Sequence, residues 1–143
     1  MKKTIVIIDG MGGGIGVQLV GKVRELNREE IELLALGTNA VATERMVKAG
    51  ANRGATGENA ICLSASLGRY ILGPIGIVLP NSMMGEITLP MAAAVLAAPG
   101  ERILLPLQQD HCYLAGLEPL PLAKMVERAV EYLKTRLEEP APA

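Results

Sequence analysis

The first 26 residues constrain the fold most: a short apolar run, a glycine-rich turn and an amphipathic stretch, in that order. Thr4 to Ile8 is apolar on both faces that a strand alternates, which predicts a strand buried from two sides. Ile15, Leu19, Val23 and Leu26 recur at helical spacing, with Lys22, Arg24 and Glu25 facing elsewhere, and predict a helix ending near Asn27. A strand followed directly by a helix leads to a parallel neighbour, since only hairpins return at once. Between strand and helix lies Asp9-Gly10-Met11-Gly12-Gly13-Gly14-Ile15-Gly16, in which five of the seven residues after Asp9 lack a Cβ.

The same alternation continues. Glu32 to Leu36 predicts a second strand stopped by Gly37. Thr38 or Asn39 caps a helix running through Ala49, with Gly50 closing it. A third strand is expected at Ala51 to Ala55, a turn at Thr56 to Asn59 and a brief helix at Ala60 to Ser66. Arg69 to Leu72 predicts the fourth strand, closed by Gly73-Pro74. Ile75 to Glu86 reads equally as helix or irregular loop. Thr88 starts a helix reaching Ala97, and Arg102 to Leu107 forms a fifth strand with Pro106 at an end or edge. Tyr113 to Gly116 is expected to add a short strand, and Pro121 begins a long final helix. The fold class is therefore α/β: three layers with a mainly parallel sheet of about five strands, one domain over residues 1–137, and a flexible tail at 138–143.

Half of the 143 residues are hydrophobic, enough for a core without metal or disulfide, yet Phe and Trp are absent. Fourteen basic and fifteen acidic residues leave no basic block, and aromatic platforms are scarce, so nucleic acid is excluded as a partner. Pro, Gly, Asn and Glu interrupt the apolar stretch from Tyr70 to Ala98, so no membrane span is expected. Two well-separated thiols, Cys62 and Cys112, and no secretory segment point to a cytoplasmic protein with reduced cysteines. The few charges between Ala60 and Ala98 point to apolar surface covered by a second subunit, with a homodimer as the simplest solution.

Main-chain N–H groups in a glycine turn ahead of a helix can hold a phosphate, or the glycines can serve only to pack that helix on the sheet. The spacing Gly10, Gly14, Ile15, Gly16 resembles the cofactor turn of the short-chain dehydrogenases over the first 25 residues or so. That resemblance implies a Rossmann-like fold and NAD(P) or another nucleotide as ligand. Its catalytic Tyr-x-x-x-Lys pair is missing: four residues after Tyr70, Tyr113 and Tyr132 stand Pro74, Leu117 and Arg136. The second strand likewise ends in the neutral Gly37-Thr38-Asn39 instead of a ribose-reading acid.

Further stretches, Ala35 to Ala40, Gly54 to Ala60, Gly73 to Gly76, and Asn81-Ser82 through Gly85 to Thr88, together with the glycine turn, resemble a family of bacterial proteins of this length with no assigned activity. That likeness implies a Rossmann-like domain and nothing about chemistry.

In such sheets ligands bind beyond the strand C-termini. The turns expected there are Asp9 to Gly16, Gly37 to Asn39, Thr56 to Asn59, Gly73 to Gly76 and Gln108 to His111. The expected ligand is a small phosphorylated molecule, a nucleotide or dinucleotide. Gly10, Gly12, Gly13, Gly14, Ile15 and Gly16 would meet phosphate, Thr38 and Asn39 the ribose, and Thr56, Glu58 and Asn59 the far half, with Gly73 on the adjoining turn. Asp9 would hold a ribose hydroxyl, a metal or a proton, or would anchor the turn through its N–H groups; the anchor is favoured. Asp110-His111-Cys112 is read as ordinary surface, because alternating side chains cannot converge on one metal. Cys62 reads as core filler and Met83-Met84 as core or dimer contact. Asn81, Ser82 and Glu86 form a polar island that either braces a loop or meets a ligand. With no base or nucleophile identified, a binding or regulatory module is the expectation. Alternatives are a small oxidoreductase with its site at a dimer interface, and a structural homodimer without ligand.

Overall fold

The computed structural model describes residues 2–109 and 112–139. Strands β1 (Lys3–Asp9), β2 (Ile31–Gly37), β3 (Arg53–Thr56), β4 (Tyr70–Pro74) and β5 (Glu101–Leu105) form one sheet in the order β3-β2-β1-β4-β5. Every neighbouring pair is parallel. Helices α1 (Gly14–Glu25), α2 (Ala40–Lys48) and α5 (Leu122–Glu138) cover one face; α3 (Glu58–Ser64) and α4 (Leu89–Ala97) cover the other.

The two-sided burial of β1 explains why it sits at the centre. Ile5 and Ile7 pack with Leu19, Val23 and Met46 on the α1–α2–α5 side. Val6 and Ile8 pack with Ile61, Met91 and Val95 on the α3–α4 side. The chain first builds outward from β1 to β3 and then returns to place β4 on the other side of β1. Right-handed crossovers taken in opposite directions leave their helices on opposite faces of the sheet. The strand order reverses between β1 and β4.

Helix boundaries follow local chemistry. Asn39, not Thr38, caps α2 by accepting the Ala42 N–H at 2.9 Å. Thr88 caps α4, and Pro90 lies in its first turn. β3 starts two residues later than predicted, because Ala51 N–H still closes the end of α2 on Met46 and Asn52 bonds to Leu33. Gly57, at φ 99°, starts α3 at Glu58, so Glu58 and Asn59 are helical instead of a turn. β5 stops at Leu105, ahead of Pro106, which has no N–H for the ladder.

One expected element is absent. Tyr113 to Gly116 is no strand: Gly116 has φ 84°, and Leu117 N–H closes a turn on Leu114 at 3.5 Å. A turn of that kind needs positive φ at its third residue, which glycine supplies. Ile75 to Glu86 resolves as a short 3-10 segment (Ile75–Val78) followed by interlocking turns. No helix among the described residues is long and apolar enough to cross a membrane.

Candidate functional site

Because all five strands run parallel, their C-termini share one edge of the sheet. At the point of reversal, between the ends of β1 and β4, lies a cleft of about 330 Å³. Its floor is the glycine turn from Asp9 to Ile15. Its walls are Pro74, Gly76 and Met83 on one side, Leu107, Gln108 and Gln109 on another, and Gln18 and Leu122 from α1 and α5. Ligands of open parallel sheets sit at this position.

The turn is shaped by two close approaches. Gly13, at φ 76°, precedes α1, and a Cβ there would meet the Ala42 backbone at 2.9 Å. A Cβ on Gly10 would fall 2.5 Å from Thr38 Oγ1 and 2.8 Å from Met83 Sδ. Both are distances that side-chain carbons do not tolerate, so the loops after β1, β2 and β4 close together only around glycine.

Two carboxylates of the chain take most of the N–H groups of this turn. Asp9 is buried; its Oδ1 accepts the Gly10 N–H at 2.8 Å and its Oδ2 the Gly16 N–H at 2.7 Å. Burial pushes its pKa above the ordinary carboxylate value, against the bonds from Gly16, Gly10 and Ile15 that pull it down. The Asp9 carboxyl thus occupies the start of α1, the position first expected to receive phosphate.

Glu86 closes the turn from the opposite side. Its Oε1 accepts the Met11 N–H at 2.9 Å, the Asn39 amide at 2.9 Å and the Thr38 hydroxyl. The Thr38 bond is the main reason that its pKa lies below the ordinary value, with Met11 and Asn39 helping and partial burial opposing. The loop that delivers Glu86 is bent by four left-handed residues, Asn81, Met83, Met84 and Gly85, and by Ser82 donating to the Gly76 carbonyl at 2.5 Å. Left-handed methionine is unusual and costs energy that the surrounding bonds must offset.

Two N–H groups of the turn, those of Gly12 and Gly14, have no acceptor among the described residues, and both glycines line the cleft. The Arg45 guanidinium, from α2, reaches over and donates to the Gly12 carbonyl. A positive charge therefore stands at the peptide between the two that carry these N–H groups.

The predicted site residues separate into groups. Asp9, Gly10, Gly12, Gly13, Gly14 and Ile15 line the cleft. Gly16 is buried behind it, under Asp9. Thr38 and Asn39 are brought to the glycine turn, but their side chains are engaged with Glu86, and Asn39 also donates to the Met11 carbonyl at 2.9 Å. Thr56 points at α2, donating to Thr43 Oγ1 at 2.7 Å. Glu58 and Asn59 are exposed on α3, where Glu58 accepts the Thr88 hydroxyl at 3.0 Å; neither borders the cleft. Gly73 is buried within the sheet.

Of the Asp110-His111-Cys112 stretch, Asp110 and His111 lie outside the described residues, and Cys112 is exposed. No group of three metal-ligating side chains occurs among the described residues. Cys62 is half-buried against the α3–α4 core, and Met84 is 90% exposed while Met83 is tucked under the turn.

Arg45 and Gln18 carry no signal in the sequence, and Gln108 is marked there only as the start of an expected turn. Glu86 was seen only as part of a polar island, although it is the one acid in a stretch of 39 residues from Ala60 to Ala98. A larger cavity of about 670 Å³ lies against β5 and α5 and shares Gln108 with the cleft; Leu105, Leu114, Leu120 and Met125 form much of its wall.

A parallel sheet in this order, with a glycine turn at its reversal point, defines a Rossmann-like α/β protein. Residues 4–138 match the family model described as a domain of unknown function (DUF3842), and the chain belongs to that family. Comparison with proteins of curated function returns no match. Among solved structures the chain is similar to a dodecameric FMN-dependent UbiX-like decarboxylase from Escherichia coli O157:H7. The two share 17% identity with a TM-score of 0.47, over 92% of this chain and 76% of that one. Neither the site nor the function proposed below rests on that likeness.

Proposed function

We propose that this chain is a binding module for a nucleotide-type ligand held in the cleft between the ends of β1 and β4. Any phosphate is received at the N–H groups of Gly12, in the turn, and Gly14, the first residue of α1, because Asp9 already holds the N–H of Gly16. The observation that carries this reading is the pair of unclaimed N–H groups on two glycines that line the cleft, with a guanidinium bonded to the Gly12 carbonyl. Gly10, Met11, Gly13 and Gly16 already spend their N–H groups within the chain. The ring of the ligand would lie against Pro74, Met83, Leu107 and Leu122, with the amide groups of Gln18, Gln108 and Gln109 available to its polar edge. Thr38 and Asn39 act behind the turn, holding Glu86. Self-association belongs to the same reading, since the charge-poor stretch from Ala60 to Ala98 calls for a second subunit.

The test is mass spectrometry of small molecules released from freshly purified, denatured protein, followed by thermal shift with each candidate. A ligand at 100 times its Kd stabilises the fold by about 2.7 kcal/mol. Recovery of a nucleoside or nucleotide that raises the melting temperature supports the reading. A panel of nucleosides, nucleotides and dinucleotides that leaves the melting temperature unmoved overturns it.

A further inference from the structure

The arm between β5 and α5 stands off the sheet and leaves a space behind it. β5 is the last strand of the sheet, and no sixth strand pairs with it among the described residues. Ile103, Leu104, Leu105 and Pro106 are consecutive, so their side chains alternate between the two faces of the sheet, yet all four border the cavity of about 670 Å³. The cavity therefore runs along the open edge of β5 instead of over one face. Met125 and Ala129 of α5 bound it on one side, and Leu114, Leu117 and Leu120 of the arm on another. Ile103, Leu105 and Ala129 are buried at its base, whereas Tyr113, Glu118 and Arg128 are exposed at its rim.

Local chemistry keeps the arm from closing on β5. Gly116 turns it at φ 84°, and Pro119 and Pro121 carry no N–H for a strand ladder. Folded interiors leave few voids larger than a water molecule, because a wall without neighbours forfeits its dispersion contacts. A space of this size, walled by five leucines, is instead in the range of small-molecule sites, roughly 300–1,000 Å³. It also adjoins the cleft. On the β2 side the cleft is closed by the bonds of Glu86 to Thr38 and Asn39; on the β5 side Gln108 lines both spaces.

We infer that this cavity is a second binding site, separate from the cleft, and that it takes an uncharged apolar small molecule with one hydrogen-bonding end. The leucine walls hold the apolar body. A hydroxyl or carbonyl end meets the Gln108 amide, the Tyr113 hydroxyl and the outward N–H and C=O groups that an edge strand presents. Glu118 on the arm and Arg128 on α5 set one charge of each sign at the rim, so neither an acid nor an amine is favoured overall, and either would leave water for apolar walls. An extended peptide added to the sheet is disfavoured: of the strand only Ile103 to Leu105 borders the space, and Pro106 beyond it has no N–H. Occupation of this site does not require a nucleotide in the cleft; when both are filled, the two ligands meet at Gln108.

Titration of the full chain with Nile red, an uncharged dye that brightens in apolar surroundings, tests this, with decanol, decanoate and decylammonium as competitors. One saturable site per chain is expected, with decanol displacing the dye roughly tenfold better than either charged analogue. Leu114→Trp fills the space from the arm and should weaken dye binding roughly tenfold or more, while circular dichroism stays that of the folded chain. Met125→Trp repeats the test from α5 should that variant misfold. Leu63→Ser/Leu96→Ser, at exposed leucines on α3 and α4, is the control and should leave dye binding unchanged. Dye binding that never saturates, that survives both tryptophan variants in folded form, or that falls in the control overturns the site. A charged competitor that matches decanol overturns the ligand class. Dye binding that disappears as particle mass rises with protein concentration shows a second chain over the cavity and likewise overturns the proposal. Nucleotide binding in the cleft is read by its own thermal shift, so its failure leaves this result standing.

Discussion

Glu86 accepts the N–H of Met11 at 2.9 Å across 75 residues of sequence, so the turn after β1 is closed by a side chain from the loop after β4. The same oxygen takes Thr38 and Asn39, which ties three strand ends to one carboxylate. The cleft owes its shape to that bond set.

Glu86→Gln keeps an acceptor oxygen but removes the charge. Bonds to an ionised acceptor are stronger than neutral ones, so the substitution should destabilise the chain by about 1–2 kcal/mol in urea titration. The pH dependence has a definite sign. The folded pKa of Glu86 is lowered, so its contribution is complete above the ordinary carboxylate range and is lost as pH falls through the folded value. The gap between wild type and variant should therefore be constant near neutrality and close in acid. A gap that widens in acid would show that Glu86 is not held as the anion.

Asp9→Asn separates anchor from ligand contact. One oxygen of Asp9 serves Gly10 and the other serves Gly16; an asparagine must turn its NH2 toward one of those N–H groups. A loss of about 1–3 kcal/mol is expected from the donor left unpaired in a buried place. Here the pH trend runs the other way. The folded pKa of Asp9 is raised, so its contribution is complete below the unfolded value and lost as pH rises through the folded one. The cost of Asp9→Asn should thus be largest in acid and shrink toward neutrality. Equal melting temperatures for variant and wild type across that range would remove the anchor role.

Much of this arrangement is legible in the sequence. β1, the glycine turn and α1 were readable because each follows a strong local rule: two-sided apolar burial, absent Cβ atoms, and a 3.6-residue period. The alternation alone puts the five strand C-termini on one edge, where the candidate cleft lies. What escaped was the content of the loop from Ile75 to Glu86. Its turns rest on left-handed Met83 and Met84, which have no signature in sequence, and only Asn81 and Gly85 announce positive φ. Hence the carboxylate that completes the turn reads as part of an island, while Thr56, Glu58 and Asn59, grouped with the ligand by position along the chain, lie at the end of β3 and on α3, away from the cleft. The strand expected at Tyr113 failed for a related reason: three apolar residues before a glycine satisfy a turn as readily as a strand end.

Gly14 and Gly16 offer a paired test within one helix. A Cβ on Gly14 meets open space, so Gly14→Ala should raise stability by up to about 1 kcal/mol through helix propensity. The added methyl stands beside one of the two free N–H groups, so ligand affinity should fall even as the melting temperature rises. A Cβ on Gly16 would fall on Met46 Sδ and lie 3.0 Å from the Asp9 Cβ, so Gly16→Ala should destabilise by about 1–3 kcal/mol. Calorimetry of both variants reads the contrast. Identical behaviour would mean that the turn has no distinct ligand side.

Arg45 decides whether the cleft prefers a phosphorylated ligand. Its guanidinium donates to the Gly12 carbonyl from an exposed position on α2, so Arg45→Gln removes charge without opening the core. A nucleoside, which has no phosphate to meet that charge, should bind both forms equally. The corresponding monophosphate should bind the variant roughly tenfold more weakly, which is about 1.4 kcal/mol. Because the pair sits near the surface, salt should narrow the difference, as screening predicts for exposed charges. Titration calorimetry of nucleoside against nucleotide, at low and at physiological salt, gives the answer. If Arg45→Gln weakens both ligands alike, the arginine shapes the turn and the phosphate belongs elsewhere.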